Sequence, residues 1–216
     1  MQNFSAVLKS NRIFFIGFFL LILFASFTCL YYTKKDGFYL LNGYHNIFLT
    51  KLFEFFTFLG DGFFCVAAGI LIYFFKDRFT GVLVLSSYIL SGLIAQTLKQ
   101  LVIEARPAVL LKDTDYPNFI ENVTLHNYHA FPSGHTASAF AMAAVISFSL
   151  KNKSLAVPLL LIASAIGYSR IYLAQHFLID VLAGSIIGVL SAMICWCMLY
   201  NKKTAIENFR RVPKGV

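Results

Sequence analysis

Charge is what this sequence has least of. Asp, Glu, Lys and Arg together make up 13% of its 216 residues, against roughly 25% in soluble domains. That scarcity excludes a water-soluble globular protein. Intrinsic disorder is excluded too, because 58% of the residues are hydrophobic and 24 Phe and 11 Tyr demand burial. Acidic residues are the scarcer sign, 10 against 18 basic. The basic excess nevertheless builds no amphipathic surface. Lys9/Arg12, Lys76/Arg78, Lys151/Lys153 and Lys202/Lys203 with Arg210, Arg211 and Lys214 all sit at the ends of apolar runs, which argues against nucleic-acid binding and for charge flanking membrane spans. The four cysteines, Cys29, Cys65, Cys195 and Cys197, lack zinc-finger or redox spacing and lie in apolar stretches, so they read as packing residues. A disulfide between Cys29 and Cys65, near one membrane face, stays open. No small-x-small cleavage site follows the first apolar run, 13–33, and the run is longer than a signal-peptide core, so it reads as a retained span.

What is present is a series of charge-free runs at 13–33, 62–75, 79–98, 122–150, 154–169 and 181–201. The run 62–75 is short of the ~20 apolar residues a bilayer needs. It extends back through 52–60, apolar apart from Glu54, with Asp61 at the interface. We therefore expect an all-α integral membrane protein, one transmembrane domain over 1–216 without repeat or linker, built as a six-helix bundle with spans at about 13–33, 55–75, 79–99, 134–150, 154–170 and 177–201. Lys76-Asp77-Arg78 and Lys151-Asn152-Lys153 are tight turns, which makes the second and third helices one hairpin and the fourth and fifth another. With both termini in the cytoplasm that side carries 11 of the 18 basic residues, in keeping with the positive-inside bias.

Ionisable residues at a membrane edge are costly and mark function by default. Lys99 ends the third helix and Arg106-Pro107 follows; Pro132-Ser133-Gly134-His135 opens the fourth; Ser169-Arg170 ends the fifth; His176 and Asp180 open the sixth. With alternating spans all of these face one side, opposite the basic excess. Lys99, Arg106 and Arg170 are three cations without matching carboxylates, as suits an anion with several oxygens, and Arg forks fit phosphate. Ser133 and Gly134 stand where a helix begins, so free N–H groups and the positive dipole end offer a second phosphate-binding feature. Gly134 allows close approach, and Pro132 sets the entry. His176 and Asp180, four apart, share a helix face, so the carboxylate can accept one imidazole N–H and direct the other nitrogen outward as a nucleophile. His135, from another helix, is placed to protonate a leaving oxygen. The chemistry implied is hydrolysis of a phosphomonoester or pyrophosphate through a phosphohistidine.

At these residues the chain resembles the type 2 phosphatidic acid phosphatase family, whose motifs read K-x6-R-P, P-S-G-H and S-R-x5-H-x3-D. They stand here as Lys99 to Arg106-Pro107, Pro132 to His135, and Ser169-Arg170 through His176 to Asp180. A tetrapeptide such as P-S-G-H arises by chance in roughly one chain in a thousand of this length; three motifs in order, each at the proper helix end, do not. The resemblance implies a six-helix core with its site at the periplasmic or extracellular face and metal-independent hydrolysis without a cofactor. It makes His176 the nucleophile, Asp180 its orienting carboxylate, His135 the acid, and Lys99, Arg106, Ser133, Gly134 and Arg170 the phosphate ligands. The expected partner is a lipid phosphate in a bacterial-type inner membrane: undecaprenyl pyrophosphate, phosphatidylglycerophosphate, phosphatidic acid or lipid A. The alternatives are lipid phosphotransfer through the same intermediate and a lipid or anion transporter using the cationic cluster.

Each residue alone has a plainer reading. Lys99 and Arg106 are ordinary snorkelling charges, Arg170 a helix-end cation, His135 a core histidine, and Pro132 with Gly134 a helix start. The shared membrane face of all eight site residues favours the functional reading. In the loop 108–130, Asp113, Asp115 and Glu121 read as solvated surface, while His126 and His129 stand between solvated loop and contact to a second phosphate or a sugar. Glu54 and Asp61 read as interface residues, with substrate binding as the weaker alternative.

Overall fold

The computed structural model describes residues 4–112, 114, 116 and 127–211, the last ten of these by backbone alone. Asp113, Asp115, Glu121 and His126 lie outside the described residues, as do the side chains of Lys202, Lys203, Arg210, Arg211 and Lys214. The described residues form helices and no strand. In chain order they are α1 (Phe4–Ser10), α2 (Arg12–Tyr31), α3 (Lys34–Leu41), α4 (Ile47–Leu59), α5 (Gly62–Phe75), α6 (Arg78–Leu101), α7 (Pro107–Leu110), α8 (Gly134–Ser149), α9 (Ala156–Tyr172) and α10 (Leu178–Arg211).

Short polar side chains start these helices by accepting amide protons that no helical carbonyl can reach. Thr33 takes the Asp36 N–H, Asn46 that of Leu49, Asp61 that of Phe63, Asp77 that of Thr80 and Ser133 that of Thr136. The sequence predicts one span over 55–75, and the chain makes two helices there, α4 and α5, bent by 57°. The cause is local. Asp61 caps α5, so α4 ends at Gly60, where a Cβ would strike Ile166 Cγ2 at 2.5 Å.

Four stretches are long and apolar enough to cross a bilayer, namely Arg12–Tyr31, Arg78–Leu101, Lys153–Tyr172 and Leu178–Asn201, with a fifth if the bent pair is one span. On the outside of α2, Phe19, Leu20, Leu23, Phe24, Phe27 and Leu30 are all exposed, a surface that is stable only against lipid. The chain is an integral membrane protein. The expected helix over 134–150 is α8, whose 16 residues rise about 24 Å. It is the buried centre of the bundle, packed against α10, α6, α9 and α5. Eleven of its residues are buried, most of them Ala, Ser or Thr, and such small residues let helices without a hydrophobic driving force come close enough to pack.

The two ends of the bundle differ in chemistry. At one end Phe148 packs edge-on against Phe14 and Trp196, with ring centroids 5.7 and 5.6 Å apart. There Lys153 Nζ donates to Asn11 Oδ1 at 2.8 Å and to the Phe148 carbonyl at 2.9 Å, tying the α8–α9 turn to the start of α2. The other end gathers the segments 99–106, 127–135 and 170–180. A small second core under it joins Phe38, Leu111, Tyr116, Ile171, Ala174 and Phe177. Asn42 donates to the carbonyls of Ile171 and Tyr172 and accepts from the Tyr116 hydroxyl, which fixes the segment leading to His176. All four cysteines are free, Cys29 and Cys65 included.

Candidate active site

The sequence places His176 and Asp180 on one helix, but α10 begins at Leu178 and His176 precedes it. Asp180, in the first turn, reaches back so that its Oδ2 accepts the Phe177 N–H at 2.9 Å. That capping contact stops the helix short of the histidine. The pair still meets: His176 Nδ1 lies 3.4 Å from Asp180 Oδ2, with both side chains buried. The approach is close without being aligned as a hydrogen bond, since among the described residues Nδ1 and Asp180 Oδ1 both lack such a partner. The Ala130 carbonyl also stands against the ring. Burial first, then the charges of Arg170, Arg106 and Lys99, press the imidazole pKa well below its ordinary 6.5, so the ring is neutral.

The three cations are held by neutral groups. Arg106 is 9% exposed; its Nε donates to the Tyr128 carbonyl at 3.1 Å and its Nη1 to Gln175 Oε1 at 3.1 Å and the Gln175 carbonyl at 3.3 Å. Lys99 Nζ donates to the His129 carbonyl at 2.6 Å while His129 Nδ1 lies 2.7 Å from the Lys99 carbonyl, a reciprocal clasp made with His129 in a left-handed conformation at φ 59°. Arg170 Nη1 donates to the Thr57 hydroxyl at 2.5 Å, and its buried Nε has no hydrogen-bond partner among the described residues. Among the described residues no ion pair involves Lys99, Arg106 or Arg170. Three positive charges in partly desolvated surroundings, with no carboxylate in contact among the described residues, are chemically suited to an anion with several oxygens.

The start of α8 contributes the rest. Ser133 caps the helix and its Oγ accepts from the Thr136 hydroxyl at 2.9 Å. Its own N–H, expected among the anion donors, is committed to the Asp180 carbonyl at 3.0 Å. That bond fastens α8 to α10 and leaves the amides of Gly134 and His135 as the open donors of the first turn. A cavity of about 200 Å³, bounded by Gly60, Tyr88, Gln96, Lys99, Gly134 and His135, lies beside them. His135 is about one-third exposed, and its Nε2 lies 3.8 Å from Asp61 Oδ2.

All eight candidates therefore meet at one end of the bundle. Gln175 and Thr57, which position Arg106 and Arg170, were not singled out from the sequence. Gln175 adjoins His176 in the third motif, whereas nothing near Thr57 marks it. Glu54 pairs with Lys51 at 2.9 Å on the surface, and Asp61 faces the site.

Residues 80–204, a stretch that contains all three motifs, match the PAP2 superfamily. The chain belongs to that superfamily. A PAP2 relative, the lipid A 4'-phosphatase of Porphyromonas gingivalis, is 30% identical over 84 residues, 37% of this chain and 36% of its own length. Phosphatidylglycerophosphatase B of Bacillus subtilis is 28% identical over 134 residues, 58% of this chain and 61% of its own length. The matches thus span less than two thirds of either curated relative. The crystal structure of LpxE from Aquifex aeolicus superposes with a TM-score of 0.66 at 31% identity, covering 75% of this chain and 93% of that one.

Proposed function

We propose that this PAP2 protein is a membrane lipid phosphatase that hydrolyses a lipid phosphate or pyrophosphate through a phosphohistidine on His176. The observation that carries the reading is the set of three cations that form no ion pair among the described residues, around a buried, neutral His176 backed by Asp180. Lys99, Arg106 and Arg170, with the amides at the start of α8 and the Ser133 hydroxyl, hold the phosphoryl oxygens and offset the charge that develops on them. The His176 nitrogen not facing Asp180 attacks phosphorus, while Asp180 accepts a hydrogen bond from the other ring N–H without taking its proton, an alignment that tightens when substrate binds. His135 gives a proton to the departing lipid oxygen as the P–O bond breaks. Water then attacks the phosphohistidine, returns a proton to His135, and releases inorganic phosphate and neutral His176. No step requires a metal ion.

Substrate class and sidedness follow the same line of support. The named activities of the lipid A 4'-phosphatase and phosphatidylglycerophosphatase B relatives favour a phosphate on a lipid head group. Lys9, Arg12, Lys76, Arg78, Lys151 and Lys153 flank the ends of spans away from the site, so six crossings with both termini cytoplasmic would open it at the outer face of a bacterial inner membrane. The test is phosphate release by detergent-purified protein from undecaprenyl pyrophosphate, phosphatidylglycerophosphate, phosphatidic acid and lipid A, in EDTA, with His176→Ala alongside. Release from at least one lipid, lost in the variant by about a thousandfold or more, is the expected result. Equal release by the variant overturns the mechanism, and transfer of phosphate to an added acceptor lipid in excess of release would turn the reading to phosphotransfer.

A further inference from the structure

A second carboxylate faces the site from the opposite wall. Asp61 stands at the break between α4 and α5, where the chain bends by 57°. Its Oδ1 accepts the Phe63 N–H at 2.8 Å, so the cap of α5 also holds the carboxylate in place. Its Oδ2 is then turned to His135 Nε2 at 3.8 Å. The break cannot drift from α8, because Gly60 sits against the main chain of His135; a Cβ there would lie 3.2 Å from its carbonyl oxygen and 3.3 Å from its Cβ. The other charged or titratable groups whose fields reach this ring are Arg170 from α9, His176 from the loop before α10, and Arg106 from the loop after α6. Two of these are cations, and Asp61 is the acid set against them.

Resting on the phosphatase reading above, we propose that Asp61 is the positioning carboxylate of His135. It fixes the ring and sets a negative charge against the cationic cluster, so that once the anionic substrate is seated beside it the imidazole can carry the proton that a ring N–H gives to the leaving oxygen, as Asp180 serves His176 on the other side of the phosphorus. The proton passes from His135 to the lipid oxygen as the P–O bond breaks and the bond between phosphorus and His176 forms. His135 regains it from the water that hydrolyses the phosphohistidine. Asp61 itself exchanges no atom with the substrate; a carboxylate this close to an imidazole favours its protonated form.

The role has a signature that simple structural support does not. An alkyl phosphate needs its leaving oxygen protonated, whereas p-nitrophenyl phosphate loses a stabilised phenolate and does not. Asp61→Asn keeps the cap, since Asn serves α-helix N-termini as well as Asp, and removes the charge. In the full-length protein in detergent, Asp61→Asn should lower kcat/KM for the lipid phosphate by about tenfold or more while that for p-nitrophenyl phosphate stays within about twofold. Asp61→Glu should recover part of the loss. Equal losses on both substrates, or no loss on either, would overturn the assignment while leaving intact a phosphatase reading upheld by His176→Ala. A wild-type protein that hydrolyses neither ester would remove both.

Discussion

Glycine 184 offers a sharp test of whether the α8–α10 contact sets the rate. A Cβ on this residue would stand 2.5 Å from the Ser133 carbonyl oxygen, 3.2 Å from Thr136 Cβ and 3.4 Å from Ala137 N. Ordinary contact begins at 3.4 Å, so the nearest atom is about 0.9 Å too close, and it is backbone that cannot rotate away. In Gly184→Ala the first two turns of α10 must retreat from the start of α8. Those turns carry Asp180, with His176 just before them, while the start of α8 holds its cap Ser133 together with Gly134 and His135. Overpacking of this kind costs about 1–3 kcal/mol, which for a chain of this size lowers the midpoint of thermal unfolding by roughly 2–12 °C. A misplacement of about 1 Å between reacting groups costs on the order of a hundredfold in rate. We therefore expect kcat/KM to fall about 10- to 100-fold in protein that remains folded at assay temperature. Phosphate release from the preferred lipid and melting in the same detergent are the two assays. Gly37→Ala is the control, because its Cβ meets only Tyr32 Cβ at 3.6 Å and α3 lies outside the candidate site. Activity of Gly184→Ala within about twofold of wild type, alongside a lowered melting temperature, would refute the coupling between this packing and the chemistry.

Two further outcomes follow from the same geometry. In Gln175→Leu, Arg106 loses the Gln175 Oε1 acceptor at 3.1 Å and keeps the main-chain carbonyls of Tyr128 and of position 175; a hydrogen bond to a charged group is worth about 1.5–3 kcal/mol, so KM for the phosphate ester should rise about tenfold or more, and an unchanged KM would mean that Arg106 does not depend on this support. Burial holds the His176 ring neutral in the native state while the unfolded histidine takes up a proton near pH 6.5. The folded pKa is the lower one, so stability is full above that pH and declines as pH falls below it; melting at about pH 8 and about pH 5.5 should show a decline that shrinks in His176→Gln, and an equal decline in both proteins would exclude His176 as its source.

Much of this protein is written along the chain because its solvent is hydrocarbon. Bilayer thickness sets the length of an apolar run, so the long spans near 13–33, 79–99, 154–170 and 177–201 can be read directly, and the polar residues at their ends stand out against that background. Motif spacing is equally local: Lys99 and Arg106 bracket one helix end, and His176 and Asp180 need only four residues to meet. Tertiary structure alone decided what holds those residues. Thr57 reaches Arg170 across 113 residues, Gln175 reaches Arg106 across 69, and the Ser133 amide is taken by the Asp180 carbonyl. It also decided that the α4–α5 break lies against His135 and that α8 is the small-residue centre of the bundle. Each of these comes from contact between helices distant in sequence. No local period or spacing records which faces will meet until the whole bundle has packed.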